Sequence, residues 1–91
     1  MSYRVELSRR AEKEVLKLDD AMFARVKSAI DGLSETPRPS GVRKLQGREN
    51  DWRIRVGQLR ILFSIDDVSK LILVHRVTDR KDVYRSGWPP L

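Results

Sequence analysis

Apolar and polar residues alternate with period two from Trp52 to Ile65. Trp52, Ile54 and Val56 alternate with Arg53 and Arg55; Leu59, Ile61, Phe63 and Ile65 alternate with Arg60, Leu62 and Ser64. Such a pattern predicts two strands, each with one apolar and one polar face. Gly57-Gln58 between them suits a two-residue hairpin turn with Gly first. That loop length sets Val56 opposite Leu59, Arg55 opposite Arg60, Ile54 opposite Ile61 and Trp52 opposite Phe63. The apolar residues then meet across the hairpin, which supports the register. The same register opposes two arginines on the polar face. Like charges so placed are destabilising unless an anion lies between them. The hairpin therefore suggests a place built to hold a phosphate.

The rest of the chain supplies elements to cover the apolar face. Residues 3–7 alternate and predict a short strand. Ser8 is a suitable helix N-cap. Ala11, Val15 and Leu18 then share one face of an amphipathic helix. Asp19-Asp20 ends it, with Asp20 as the expected cap of a second helix carrying Met22, Val26, Ala29, Ile30 and Leu33 at helical spacing. The pair reads as an αα-hairpin. Thr36 to Gly41, with two prolines, forms a loop. Val42 to Leu45 suggests a short strand, and Gln46 to Asp51 a polar turn. Lys70 to Val77 is the most continuous apolar run and predicts a strand covered on both faces for much of its length. A short helix is expected over Asp79 to Arg85, and an irregular, flexible tail over 86–91.

This order implies an α+β fold. An N-terminal strand and a two-helix hairpin pack on one face of a small, mostly antiparallel twisted sheet, followed by a short C-terminal helix. Ninety-one residues suit a single domain, 1–91, with a modest core. The other sheet face, with Arg53, Arg55 and Arg60, is left as a basic concave surface.

Charge sharpens the expectation of an anionic partner. Lys plus Arg number 19 against 13 Asp plus Glu, a net charge of +6. That balance points to nucleic acid. No apolar run is long enough to span a bilayer, and the first residues carry no stretch of signal-peptide type. The chain has no Cys and one His. A thiol nucleophile is thus excluded, and a metal site or cofactor is not expected. A cytoplasmic protein is expected.

Several segments, in order from about residue 3 to about residue 85, resemble the RelE/ParE toxin superfamily. They are Ser8 to Leu18, Pro37-Arg-Pro39, Lys44-Leu-Gln-Gly47, Trp52 to Gly57, Leu59 to Ile65 and Asp79 to Arg85. The resemblance implies the toxin of a prokaryotic toxin–antitoxin pair. RelE-type members cleave messenger RNA in the ribosomal A site; ParE-type members share the fold and poison DNA gyrase. Arg53, Arg55, Arg60, Arg80 and Tyr84 fall where the RelE type carries its functional groups. Arg53 and Arg55 stand where the best-known relative has lysines, and Asp79 where many relatives have histidine.

The implied chemistry is attack of a 2′-OH on the adjacent phosphate. Guanidinium groups suit the dianionic transition state, since each binds phosphate oxygens bidentately. Arginine stays protonated and is a poor base. Tyr84 is the better base, its phenolate favoured by neighbouring cations, with Arg80 or Arg60 as acid or charge stabiliser. Arg43, Lys44, Arg48 and Lys81 are candidates for backbone phosphate contacts. His75, flanked by apolar residues, reads as structural. The implied partners are ribosome and messenger RNA, an acidic antitoxin that is partly disordered when free, and operator DNA through the antitoxin complex. The alternatives are a gyrase inhibitor of the same fold, or a basic nucleic-acid-binding module without catalysis.

Overall fold

A computed structural model describes residues 2–45 and 50–79. The chain runs β1 (Arg4–Leu7), α1 (Arg9–Leu16), α2 (Asp20–Gly32), β2 (Arg43–Lys44), β3 (Asp51–Val56), β4 (Leu59–Asp66) and β5 (Leu71–Asp79). The sheet order is β1-β5-β4-β3-β2. The last four strands form an antiparallel meander, and β5 ends it beside β1 in parallel. The helical hairpin carries the chain from one sheet edge, β1, to the other, β2.

The hairpin has the expected register, with Trp52↔Phe63, Ile54↔Ile61, Arg55↔Arg60 and Val56↔Leu59. Gly57 takes φ of 60°, a left-handed conformation that glycine adopts without strain. The core lies between the sheet and the two helices. Ala11 and Val15 of α1 and Val26 and Ile30 of α2 meet Ile61, Phe63, Ile65, Ile72 and Val74. Phe63 is fully buried; burying a side chain of its kind contributes about 1.5–3 kcal/mol.

Both helices start on side-chain caps. Ser8 Oγ accepts from the Ala11 N–H at 3.0 Å. Asp19, rather than the expected Asp20, caps α2: its extended backbone lets Oδ1 accept from the Met22 N–H at 2.8 Å. Asp20 becomes the first helical residue, where its charge faces the positive end of the helix dipole.

Two further expectations change. The run expected to be covered on both faces is so only at Arg76, Val77 and Thr78; from Leu71 to His75 exposure alternates. Asp79 closes β5 rather than opening a helix. The remainder of the expected C-terminal helix and the tail lie outside the described residues.

The edge of β5 beyond β1 is sealed by a helix side chain. Glu14 of α1 accepts the Val77 N–H on Oε1 at 2.8 Å and the Arg76 Nε–H on Oε2 at 3.0 Å. Arg76 Nη2 adds a contact of 2.9 Å, and the Arg76 side chain is only 7% exposed. One carboxylate thus satisfies a strand N–H with no strand to bond to and neutralises a buried guanidinium.

Candidate nucleic-acid interface

The sheet face away from the helices carries rows of residues in cross-strand register. One row is Arg55, Arg60 and Thr78; the next is Arg43, Arg53, Leu62 and Arg76; the next holds Asp51, Ser64 and Leu73. Arginine therefore opposes arginine twice, at Arg55↔Arg60 and at Arg43↔Arg53. These four arginines, with Ser40, Gly41 and Ile54, line a cleft of about 510 Å³.

Position on the sheet decides how each arginine is held. Arg60 lies on β4, between β3 and β5, and is only 8% exposed. Its side chain is enclosed by its neighbours rather than extended into solvent. Arg55 is exposed, and its Nε donates to the Gly57 carbonyl at 3.1 Å. Gly41, with φ of 88°, lets the loop before β2 turn into the cleft wall.

The cleft thus gathers Arg53, Arg55 and Arg60, and adds Arg43 as a full member. Lys44 is in register with Trp52, on the helix-facing side, and does not line it. Arg48, Lys81, Arg80 and Tyr84 lie outside the described residues. Ser40 and Gly41 were not singled out in the sequence; their Pro-rich loop reads only as a connection.

Chemically, the lining offers fixed cations. Four guanidinium groups can bind phosphate oxygens bidentately and stabilise charge developing on phosphorus. None of the described lining residues is a base at neutral pH. Among the described residues there is no group of three or more His, Asp or Glu able to hold a metal ion.

Repulsion across the Arg55↔Arg60 pair has a measurable consequence. Arg55→Gln is expected to leave the free protein as stable as wild type, or more stable by up to about 1 kcal/mol at low salt, with the difference shrinking as salt is added. Phosphate binding by the same variant should weaken, since the cleft loses one guanidinium. Denaturant midpoints at two salt concentrations check the first part, and a loss of stability would show that the pair is not repulsive.

His75 lies on the arginine side of the sheet by strand alternation, and a bulge sets Arg76 on that side as well. Leu62 pairs with Arg76 but Phe63 with Val74, so His75 is the extra residue on β5. Its Nε2 sits 3.0 Å from Ser64 Oγ, and its carbonyl accepts from Ser8 Oγ at 2.8 Å. Burial pushes the imidazole below its ordinary value, with the Asp51 carboxylate opposing. The unfolded chain then takes up a proton at higher pH than the folded protein. This contribution to stability is complete above about pH 6.5 and is lost as pH falls through the lowered folded value. His75→Gln should flatten the fall in stability between about pH 7 and pH 5, measured by urea midpoints. An unchanged slope would show that His75 titrates normally.

Fold and cleft together describe a small α+β domain with a cationic sheet face. The sequence model of the ParE toxin of type II toxin–antitoxin systems matches residues 5–84. The chain belongs to that family, within the RelE/ParE superfamily. It is 30% identical over 86 residues to Toxin RelG of Mycobacterium tuberculosis, covering 93% of this chain and 99% of that protein. Among solved structures, it resembles the archaeal RelE–RelB complex from Pyrococcus horikoshii OT3, with 28% identity and a TM-score of 0.79 over 88% of this chain and 97% of the other. A mutant of the E. coli toxin RelE in the free state is also similar, with 25% identity and a TM-score of 0.78 over 93% of each chain.

Proposed function

We propose that this chain is a metal-free, ribosome-dependent endonuclease that cleaves messenger RNA. The observation that carries the reading is the convergence of Arg43, Arg53, Arg55 and Arg60 on one cleft, with Arg60 enclosed by its neighbours. Such a cleft suits a phosphate group that gains negative charge during reaction. The 2′-oxygen loses its proton and attacks the adjacent phosphorus. A dianionic phosphorane forms between the arginines. The P–O5′ bond then breaks, leaving a 2′,3′-cyclic phosphate, and the 5′-oxygen leaves with a proton. The cleft arginines stabilise charge at the middle step. Tyr84 is the proposed base and Arg80 the proposed partner at the leaving oxygen; Lys44, Arg48 and Lys81 are proposed contacts to flanking phosphates.

A site rich in charge stabilisers and poor in bases depends on orientation. Ordering of the RNA by the ribosome can supply much of that, since well-aligned reactants gain about 7–11 kcal/mol. Cleavage by the purified protein should be strong on ribosome-bound messenger and weak on the same RNA naked. Equal rates on the two substrates would refute ribosome dependence.

The antitoxin proposed as partner is supported by the RelE–RelB assembly of the P. horikoshii relative. A net charge of +6 favours an acidic antitoxin segment, and operator DNA would be met through that complex. No helix among the described residues is long and apolar enough to cross a membrane; the proposed place of action is the cytoplasm, where translation occurs. A second reading, gyrase inhibition without nuclease activity, is favoured by one observation: the matching family model is that of a ParE toxin. Loss of supercoiling activity by purified gyrase, with intact messenger, would select it.

A further inference from the structure

The loop that forms one wall of the cleft is held from outside the cleft. It leaves α2 through Ser34, whose Oγ donates to the Tyr3 carbonyl at 2.8 Å while its own carbonyl accepts the Tyr3 N–H at 2.8 Å. Further on, Arg38 forks onto Asp67 of the β4–β5 turn, at 3.3 Å to Oδ1 and 2.9 Å to Oδ2. The Arg38 guanidinium also lies 5.0 Å from the centre of the Trp52 ring. Tyr3 Oη donates to the same Asp67 carboxylate at 2.6 Å. Arg38 and Tyr3 hold that carboxyl at a pKa of about 2, so it is ionised throughout the neutral range.

Arg38 is joined stiffly to the cleft wall. Pro37 and Pro39 flank it, and each fixes its own φ and restricts the residue before it. The Val42 N–H then bonds the Pro39 carbonyl at 3.1 Å, closing the turn that presents Ser40 and Gly41 and leads into Arg43. Ser40, Gly41 and Arg43 line the cleft, whereas Arg38, Asp67 and Tyr3 do not.

We infer that the Arg38–Asp67 fork is a positioning clamp: it sets the Ser40–Arg43 wall against Arg53 and thereby controls affinity for RNA phosphates in the cleft. The inference rests on the reading of the cleft as an RNA site. The ion pair itself is half exposed, with side chains 39% and 49% accessible. Pairs of that kind add little to global stability. The clamp therefore acts on where Arg43 stands rather than on whether the protein folds.

The sign of one substitution separates the clamp from general electrostatics. Asp67→Asn removes an anion from a basic protein, which by charge alone strengthens RNA binding. The clamp demands weaker binding, by about ten-fold, because the wall loses its register. The probe is a short, fluorescently labelled single-stranded RNA carrying 2′-O-methyl groups, which blocks cleavage; binding is read by anisotropy. In an Arg43→Ala background the Asp67→Asn effect should shrink to less than about two-fold, since residues acting through one another are not additive. Arg38→Lys leaves the net charge unchanged and loses the fork, so it should weaken binding in the same direction, with an unchanged melting temperature. Equal or tighter binding by Asp67→Asn or Arg38→Lys, while Arg53→Ala weakens the wild-type interaction, would overturn the clamp and leave the cleft standing. Binding insensitive to both Arg53→Ala and Arg60→Ala would remove the cleft reading and the clamp with it.

Discussion

Arg60→Ala is expected to lower single-turnover cleavage of ribosome-bound messenger by about 10²–10³-fold. Its effect on ribosome binding should be much smaller. The reason is position. Arg60 is in the middle of the sheet, 8% exposed, opposite Arg55 and in row with Thr78. In the proposed reaction a guanidinium so enclosed would meet charge on the phosphate with little reorganisation, the condition under which such a group stabilises a transition state most. Arg60→Lys keeps the charge but not the planar fork, and should recover only part of the rate. Single-turnover rates at saturating enzyme, beside binding isotherms for ribosomes, separate the two effects. A variant that cleaves normally but binds weakly would make Arg60 an affinity residue.

Glu14→Ala should destabilise the protein by about 1–3 kcal/mol, because the Val77 N–H loses its acceptor and Arg76 loses a charged hydrogen-bond partner. That is a sizeable part of the total for a small domain, which is about 5–15 kcal/mol. Glu14→Gln retains an oxygen for Val77 and should cost less. Replacing both partners with apolar residues, Glu14→Leu with Arg76→Met, should recover much of the loss, since two absent charges need no solvation. Urea denaturation of the three variants measures the series. A loss below about 1 kcal/mol for Glu14→Ala would mean that water solvates Arg76 in the folded state.

The parts of the fold legible in the sequence were those set by local pattern. Period-two alternation and Gly57 placed the β3–β4 hairpin and its register, and with them the opposed Arg55 and Arg60. Ser8 before Ala11 and Val15 placed the start of α1. The cap of α2 was displaced by one residue because Asp19 and Asp20 are chemically the same, and only the extended backbone at Asp19 distinguishes them.

Features made by distant residues were not legible. Glu14 reads as one more charged position on an amphipathic helix; its partners lie 62 and 63 residues away. The bulge at His75, which turns Arg76 to the arginine face, carries no Gly or Pro to announce it. Leu62 reads as an outlier on the polar face, yet it is fully buried there. Arg43 reads in the sequence as a candidate contact to backbone phosphates; its pairing with Arg53 across a two-residue strand, which sets it in the cleft, is not legible there. The candidate site was therefore legible as a cluster of arginines on one hairpin, and not as a cleft with a loop for a wall.

The measurement that tests the account most directly is primer extension on a well-translated cellular messenger after brief induction of this protein. The same transcript without its start codon serves as the control. The account predicts breaks confined to the translated region, absent from the untranslatable transcript, and absent when Arg60→Ala is induced instead. Intact messenger together with loss of chromosomal supercoiling, or equal breakage of both transcripts, would contradict it.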